Sequence, residues 1–286
     1  MPTTTPPPAP VSNQPAAADP PEAGWDRRRL LAVATACAAV VVLLAAGAVY
    51  AVVWTVRTAT ADPVRGALRV DDAAATPEQR RDAIAAAPMT AVDPSAATGG
   101  APATTPAPTM VLPVPTGVGA ADVPTGYPHT PPGAVAQLAA ITTSVVSAMS
   151  VQHATAVHRG WAAPGAPPAQ DWVMTRNVQA FLAAAGLPTT AGVHGGVVTA
   201  DPVAAQVKGV DGPDWVLGCV LLDVQATLTA HARIGYGHCE RLQWDAPSAR
   251  WLIAPGAQPA TAPSTWPGTQ AALDAGWATV VPAGQD

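Results

Sequence analysis

In the stretch GYGHCERLQW, residues 235 to 244, His238, Cys239 and Glu240 stand side by side. A thiol, an imidazole and a carboxylate are the parts of an activated nucleophile with its base and orienting acid. A cysteine is equally half of a disulfide, and spacing separates the two readings. The segment reads as a strand, on which neighbours point to opposite faces, so His238 and Glu240 face away from Cys239. His231 is the only other histidine on the same predicted hairpin. Cys219 lies on the strand before it, and pairing Cys219 directly with Cys239 centres the hairpin on Thr229, where the alternation pauses. Strand register and an oxidising compartment together predict a Cys219–Cys239 disulfide rather than a catalytic thiol.

The other reactive side chains are dispersed. His153 and His158 are five apart, which breaks the i, i+4 spacing that lets two imidazoles share a helix face, and no H-E-x-x-H or C-x-x-C occurs. His231 and His238 differ by an odd number and so fall on opposite faces of one strand. There is no P-loop, no G-x-G-x-x-G after a strand and no G-x-S-x-G. We therefore expect no catalytic residue, no metal ligand and no cofactor. One carboxylate is unusual. Asp223 sits in a strand of mostly apolar character and alternates with Leu221 and Gln225, which puts it on the wetter face. With Tyr236 and His238 it is the only candidate set for a polar pocket. Trp266 follows a Pro-rich loop and precedes a short helix, which makes it a candidate contact residue.

The elements that must position these groups follow from hydrophobic period. In HTPPGAVAQLAAITTSVVSAMS, Thr130 is placed to cap a helix on which Val135, Leu138, Thr142, Val145 and Met149 recur at helical spacing. VQHATAVHRGWAA is a second, short helix. A third has Asp171 as its cap, one face of Met174, Val178, Phe181, Leu182 and Ala185, and Gly186 at its stop. After Pro188 the period changes to 2. VAAQVKGV, WVLGCVLLDVQATLT, ARIGYGHCERLQW and RWLIAPG read as four antiparallel strands, with Val216, Val220, Leu222, Val224 and Leu228 on one face of the second. The turn DAPSA places Trp244 beside Trp251 and Asp245 beside Arg250. Helices followed by an antiparallel sheet define an α+β domain over residues 126–286.

Charged residues are only 12% of the 286-residue chain and there are 33 prolines, a balance foreign to one compact soluble domain. The net charge of -5 and a single lysine, Lys208, leave no basic patch, which excludes nucleic acid as a partner. From Leu30 to Val56 no residue is charged. As a helix that run spans roughly 40 Å, enough to cross a bilayer with tilt. Arg27, Arg28 and Arg29 precede it and Arg57 alone follows closely, which sets the N-terminus in the cytoplasm. Trp25 marks the inner boundary, and Tyr50 and Trp54 the outer. The apolar run is too long for a cleaved signal. The predicted order is a cytoplasmic tail at 1–26, a transmembrane helix at 27–57, a Pro/Gly-rich linker at 58–125 and the extracytoplasmic domain. Within the linker, TPEQRRDAIAAAP predicts a short helix over 76–87, with Thr76 and Gln79 forming a capping box and Pro77 at its first position.

Four segments, GYPHTPPGAVAQLAAI, VKGVDGPDWVLGCVLLDV, GYGHCERLQWDAPSARWLIAPG and APSTWPGTQAALDAGW, resemble an actinobacterial family of bitopic membrane proteins of unknown function associated with integrated conjugative elements. The resemblance spans most of residues 66 to 280. By analogy with the bitopic assembly subunits of type IV secretion channels, it implies an outer domain similar to the nuclear transport factor 2-like fold, with helices packed in a curved sheet. It also implies a structural or assembly subunit at the cell membrane, partnered by other membrane-complex proteins or by itself. The alternative is an extracytoplasmic module that holds a small ligand in the sheet's concavity.

Overall fold

The computed structural model describes residues 75–189, 196–227 and 231–284. The predicted cytoplasmic tail and the predicted anchor residues Trp25, Arg27, Arg28, Arg29, Tyr50 and Trp54 lie outside them, as do Leu228 and Thr229. No helix among the described residues is long and apolar enough to cross a membrane.

The first helix, α1 (Pro77–Ala86), starts on a reciprocal capping box. The Thr76 hydroxyl accepts from the Gln79 N–H, and the Gln79 side chain accepts from the Thr76 N–H at 2.8 Å. Its C-terminal carbonyls are bound by the ammonium of Lys208, which places a cation where the helix dipole is negative. Desolvation at this site lowers the Lys208 pKa. Three short strands follow: β1 (Thr109–Leu112), β2 (Gly117–Val118) and β3 (Pro124–Thr125).

Helix α2 (Pro131–Ala148) begins at Thr130, whose hydroxyl accepts from Gly133 N–H. All five residues expected on its apolar face are buried. So are Ala134, Ala136, Gln137 and Ala139, because the sheet wraps round the helix. Helix α3 (Val151–Trp161) is capped by Ser150. Helix α4 (Val173–Ala184) buries Met174, Val178 and Leu182. Asp171 does not cap it, as the helix starts one residue later, from Trp172, whose indole is anchored in the core. Ala185, expected on the apolar face, is exposed.

Three long strands, β4 (Val197–Val210), β5 (Trp215–Thr227) and β6 (His231–Asp245), then form a meander with β7 (Arg250–Ile253). After the short α5 (Gln270–Asp274), β8 (Ala278–Pro282) returns to the far side of the meander, between β4 and the edge strand β1. The order is β1-β8-β4-β5-β6-β7, antiparallel except for the parallel pair β1–β8. Register shifts at Pro202/Ala204 and Val207/Gly209 bend β4, as bulges do, and help the sheet curl over the helices. The chain is thus α+β with a curled mixed sheet of six strands.

Strand β5 is buried along almost its whole length because both faces of the sheet are covered. Val216, Val220, Leu222 and Val224 face the helices. On the other face Leu221 and the two strand cysteines meet Trp277, Ala262 and Ala272. Trp215 and Leu217 meet Ile84 and Ala85 of α1. The segment assigned to a linker therefore belongs in part to the domain. Residues 75–125 supply α1, the edge strand β1 and the buried Leu112 and Val123. Its proline content reads as spacer because it lacks a period, yet single apolar residues within it pack on the domain.

Candidate functional site

Strand β6 carries the chemistry. Its register with β5 pairs Cys219 with Cys239, and the two are joined by a disulfide. The same register fixes which side every other residue takes. Tyr236, His238 and Glu240 alternate on the helix side, opposite Leu222, Val220 and Gly218. Asp223 pairs with Gly235 and shares the disulfide's face.

The expected set of Asp223, Tyr236 and His238 is therefore not assembled, because strand parity puts Asp223 across the sheet from the other two. Asp223 is buried in an ion pair with Arg233, whose Nε lies 2.8 Å from Oδ1. The guanidinium in turn covers the ring of Trp266 at 5.0 Å. Trp266 is thus half-buried under a cation. The backbone of residues 262–266 approaches so closely because Gly235 and Gly237 offer it no side chain. A Cβ at Gly235 would strike the Thr265 carbonyl, and Gly237 N–H donates to Ser264 Oγ at 3.0 Å.

The carboxylate that joins Tyr236 and His238 is Glu240, 5% exposed. Its Oε2 accepts from the Trp172 indole at 2.8 Å and lies 3.5 Å from His238 Nε2. Its Oε1 accepts from Arg241 N–H at 3.2 Å. His158 of α3 packs its ring on Trp172, centroids 5.2 Å apart, and is itself buried with Nε2 unbonded. The Tyr236 ring lies parallel to that of His238 at 6.4 Å. Its hydroxyl accepts from Asn177 Nδ2 at 2.7 Å and donates to Met174 Sδ at 3.3 Å. Burial pushes the Tyr236 phenol up to about 12, with the Asn177 bond opposing and the Glu240 charge reinforcing. The arrangement is one buried acid among two imidazoles, an indole and a phenol, enclosed by the helices.

The sequence offers Glu240 only as a partner for Cys239 and His158 only as a metal-ligand candidate, and it singles out neither Trp172 nor Asn177. The signal for Glu240 was present, since Tyr236, His238 and Glu240 alternate at the period of a strand. His158, Trp172 and Asn177 reach the site from α3 and the start of α4, and no local pattern marks that convergence. His153, by contrast, turns to Ser144 Oγ at 2.8 Å and takes no part. Among the described residues no group of three or more His, Cys, Asp or Glu is placed to hold a metal ion.

Desolvation lowers the His158 pKa, and the Glu240 charge partly opposes that. An unfolded histidine titrates near 6.5. The stability gained from burying neutral His158 is therefore fully present above about pH 6.5 and is lost as pH falls through its folded value. The urea midpoint, followed by tryptophan fluorescence, should drop between pH 7.5 and 5.5, with this one proton contributing at most about 1.4 kcal/mol per pH unit. Glu240→Gln should steepen the drop by removing the opposing charge, and His158→Asn should flatten it. An unchanged slope in both variants would refute the assignment.

The chain matches no protein-family profile, no curated protein and no solved structure.

Proposed function

We propose that this protein is a single-pass membrane-anchored assembly subunit of a conjugative transfer or secretion apparatus, acting through protein contacts of its extracytoplasmic domain. The observation that carries this reading is the free edge of the sheet. Among the described residues strand β1 pairs on one side only, and it presents Val111 at 53% exposure, with Val114 at 55% and Val118 of β2 at 70% further along the chain. An unpaired strand edge with adjoining apolar side chains is a template for another chain. Pro113 and Pro115 cut the strand short, which limits pairing to a few residues and favours a specific partner over runaway self-association. The uncharged run Leu30–Val56 behind three arginines supports the anchor and its orientation. Three helices in the hollow of a curled sheet support the likeness to the nuclear transport factor 2-like fold, and with it the analogy to bitopic secretion subunits.

A photoreactive side chain introduced at Val114 in the native host tests this reading. Amine reagents would miss most contacts, because the one lysine is Lys208 and it is held against α1. Cross-links to transfer ATPases or to other membrane subunits at fixed ratio would support the reading. Recovery of this chain alone, or of nothing, would overturn it.

The second reading, a small-ligand module, is favoured by one observation: a cavity at the mouth of the helix-filled hollow.

A further inference from the structure

We infer that this cavity binds an uncharged apolar molecule of roughly nine heavy atoms whose carbonyl oxygen accepts a hydrogen bond from Tyr236, a scale set by comparison with benzene in an apolar cavity of about 150 Å³. The inference deepens the ligand-module reading and holds whether or not the β1 edge makes protein contacts.

The cavity has a volume of about 230 Å³ and lies between α4, the end of α2 and the tips of β5 and β6. Met149, Met174, Val178, Phe181 and Val224 supply carbon and sulfur walls. Ile234 stands 41% exposed at its mouth. Two methionines give the walls adaptability, since an unbranched thioether repacks around ligands of different shape. Walls of this kind gain by covering an apolar body.

Specificity comes from the polar groups. The Tyr236 hydroxyl receives the amide proton of Asn177, so its own proton must find an acceptor elsewhere. Among the described residues the acceptor it finds is Met174 Sδ, and a thioether is a weak acceptor. A ligand carbonyl oxygen at that point replaces a poor bond by a good one and leaves Asn177 undisturbed. Burial keeps the phenol protonated at every physiological pH, so the donor is always present. Among the described residues lining the cavity the one charged residue is Arg233, whose guanidinium is committed to Asp223 and the face of Trp266. A charged ligand would therefore enter without a free counter-ion, at a large desolvation cost. That selects a neutral ketone, ester or aldehyde over a carboxylate.

The test uses the full chain in lipid nanodiscs, labelled with ¹³C at the methionine methyls, and propiophenone as the probe. Titration should shift the Met149 and Met174 resonances saturably and leave those of Met89 and Met110 in place. Tyr236→Phe, which keeps the ring and removes the donor, should weaken binding about fivefold, the worth of one net hydrogen bond. Ala232→Trp, at an exposed position on the rim, should abolish the shifts without disturbing the core. Partition of the ketone into lipid is the same for all three proteins, so the comparison isolates the site. The inference is overturned if Met149 and Met174 do not shift at millimolar ketone, if Tyr236→Phe binds as well as the parent, or if binding survives Ala232→Trp.

Discussion

Replacing Trp161 by alanine is expected to cost about 3–5 kcal/mol, the range for deleting a large aromatic from a core that cannot collapse around the void. Trp161 is fully buried at the end of α3. Its indole donates to the Ala120 carbonyl at 3.0 Å, and Gly119 lies so near that a Cβ there would sit 2.6 Å from the ring. On another side the Arg250 guanidinium covers it at 5.1 Å. One side chain thus joins α3, the segment before β3 and the last hairpin of the sheet. The loss should appear as a lowered urea midpoint with an unchanged m-value. Trp161→Phe keeps most of the packing and forfeits the bond to Ala120, so it should fall about 1–3 kcal/mol below the parent. A Trp161→Ala protein within 1 kcal/mol of the parent would mean that residues 117–125 do not pack on the domain.

That contact also marks the limit of what the sequence reveals. The helices over Pro131–Ala148 and Val173–Ala184 announce themselves by period, and α1 by a local grammar of Thr76, Pro77 and Gln79 whose bonds span three residues. The register of β5 on β6 follows from two cysteines and a pause in alternation. The turn before β7 likewise sets Trp244 against Trp251, their rings edge-on at 5.4 Å. Asp245 and Arg250 are opposite each other as expected, yet no ion pair forms among these residues. Asp245 binds Ser248 instead, and Arg250 turns to Trp161. What stays hidden is long-range. Strand β1 joins β8 from the far end of the domain, and neither carries enough alternation to declare its partner. Only the outer cover of the sheet, supplied by α1 and by residues 262–277, turns the wet face assumed for Asp223 into an interior. Once Cys219 is set opposite Cys239, parity alone sends Asp223 to the disulfide's side and Glu240 to that of Tyr236 and His238.

Removing the disulfide should cost about 3 kcal/mol, since it closes a 20-residue separation in the unfolded chain. Both cysteines are buried on the outer face of the sheet, and Cys239 Sγ lies 3.4 Å from Met89 Sδ. The staple thus sits within the packing that holds the segment after α1 onto β6. For a Cys219→Ala/Cys239→Ala protein the urea midpoint should fall by between about 1 and 3 M, given ordinary m-values for a domain of this size. The Tyr236 side of β6 should keep its register, because Leu242, Val220 and Leu222 bind it independently of the sulfurs. The same bond reports on compartment. A domain outside the cell keeps the pair oxidised, whereas a reducing cytosol would not. Host cells quenched in acid, then denatured and alkylated without reductant, should therefore show Cys219 and Cys239 unmodified until a reductant is added. Free thiols at both positions in the native membrane would remove the staple and, with it, the argument that this domain faces outward.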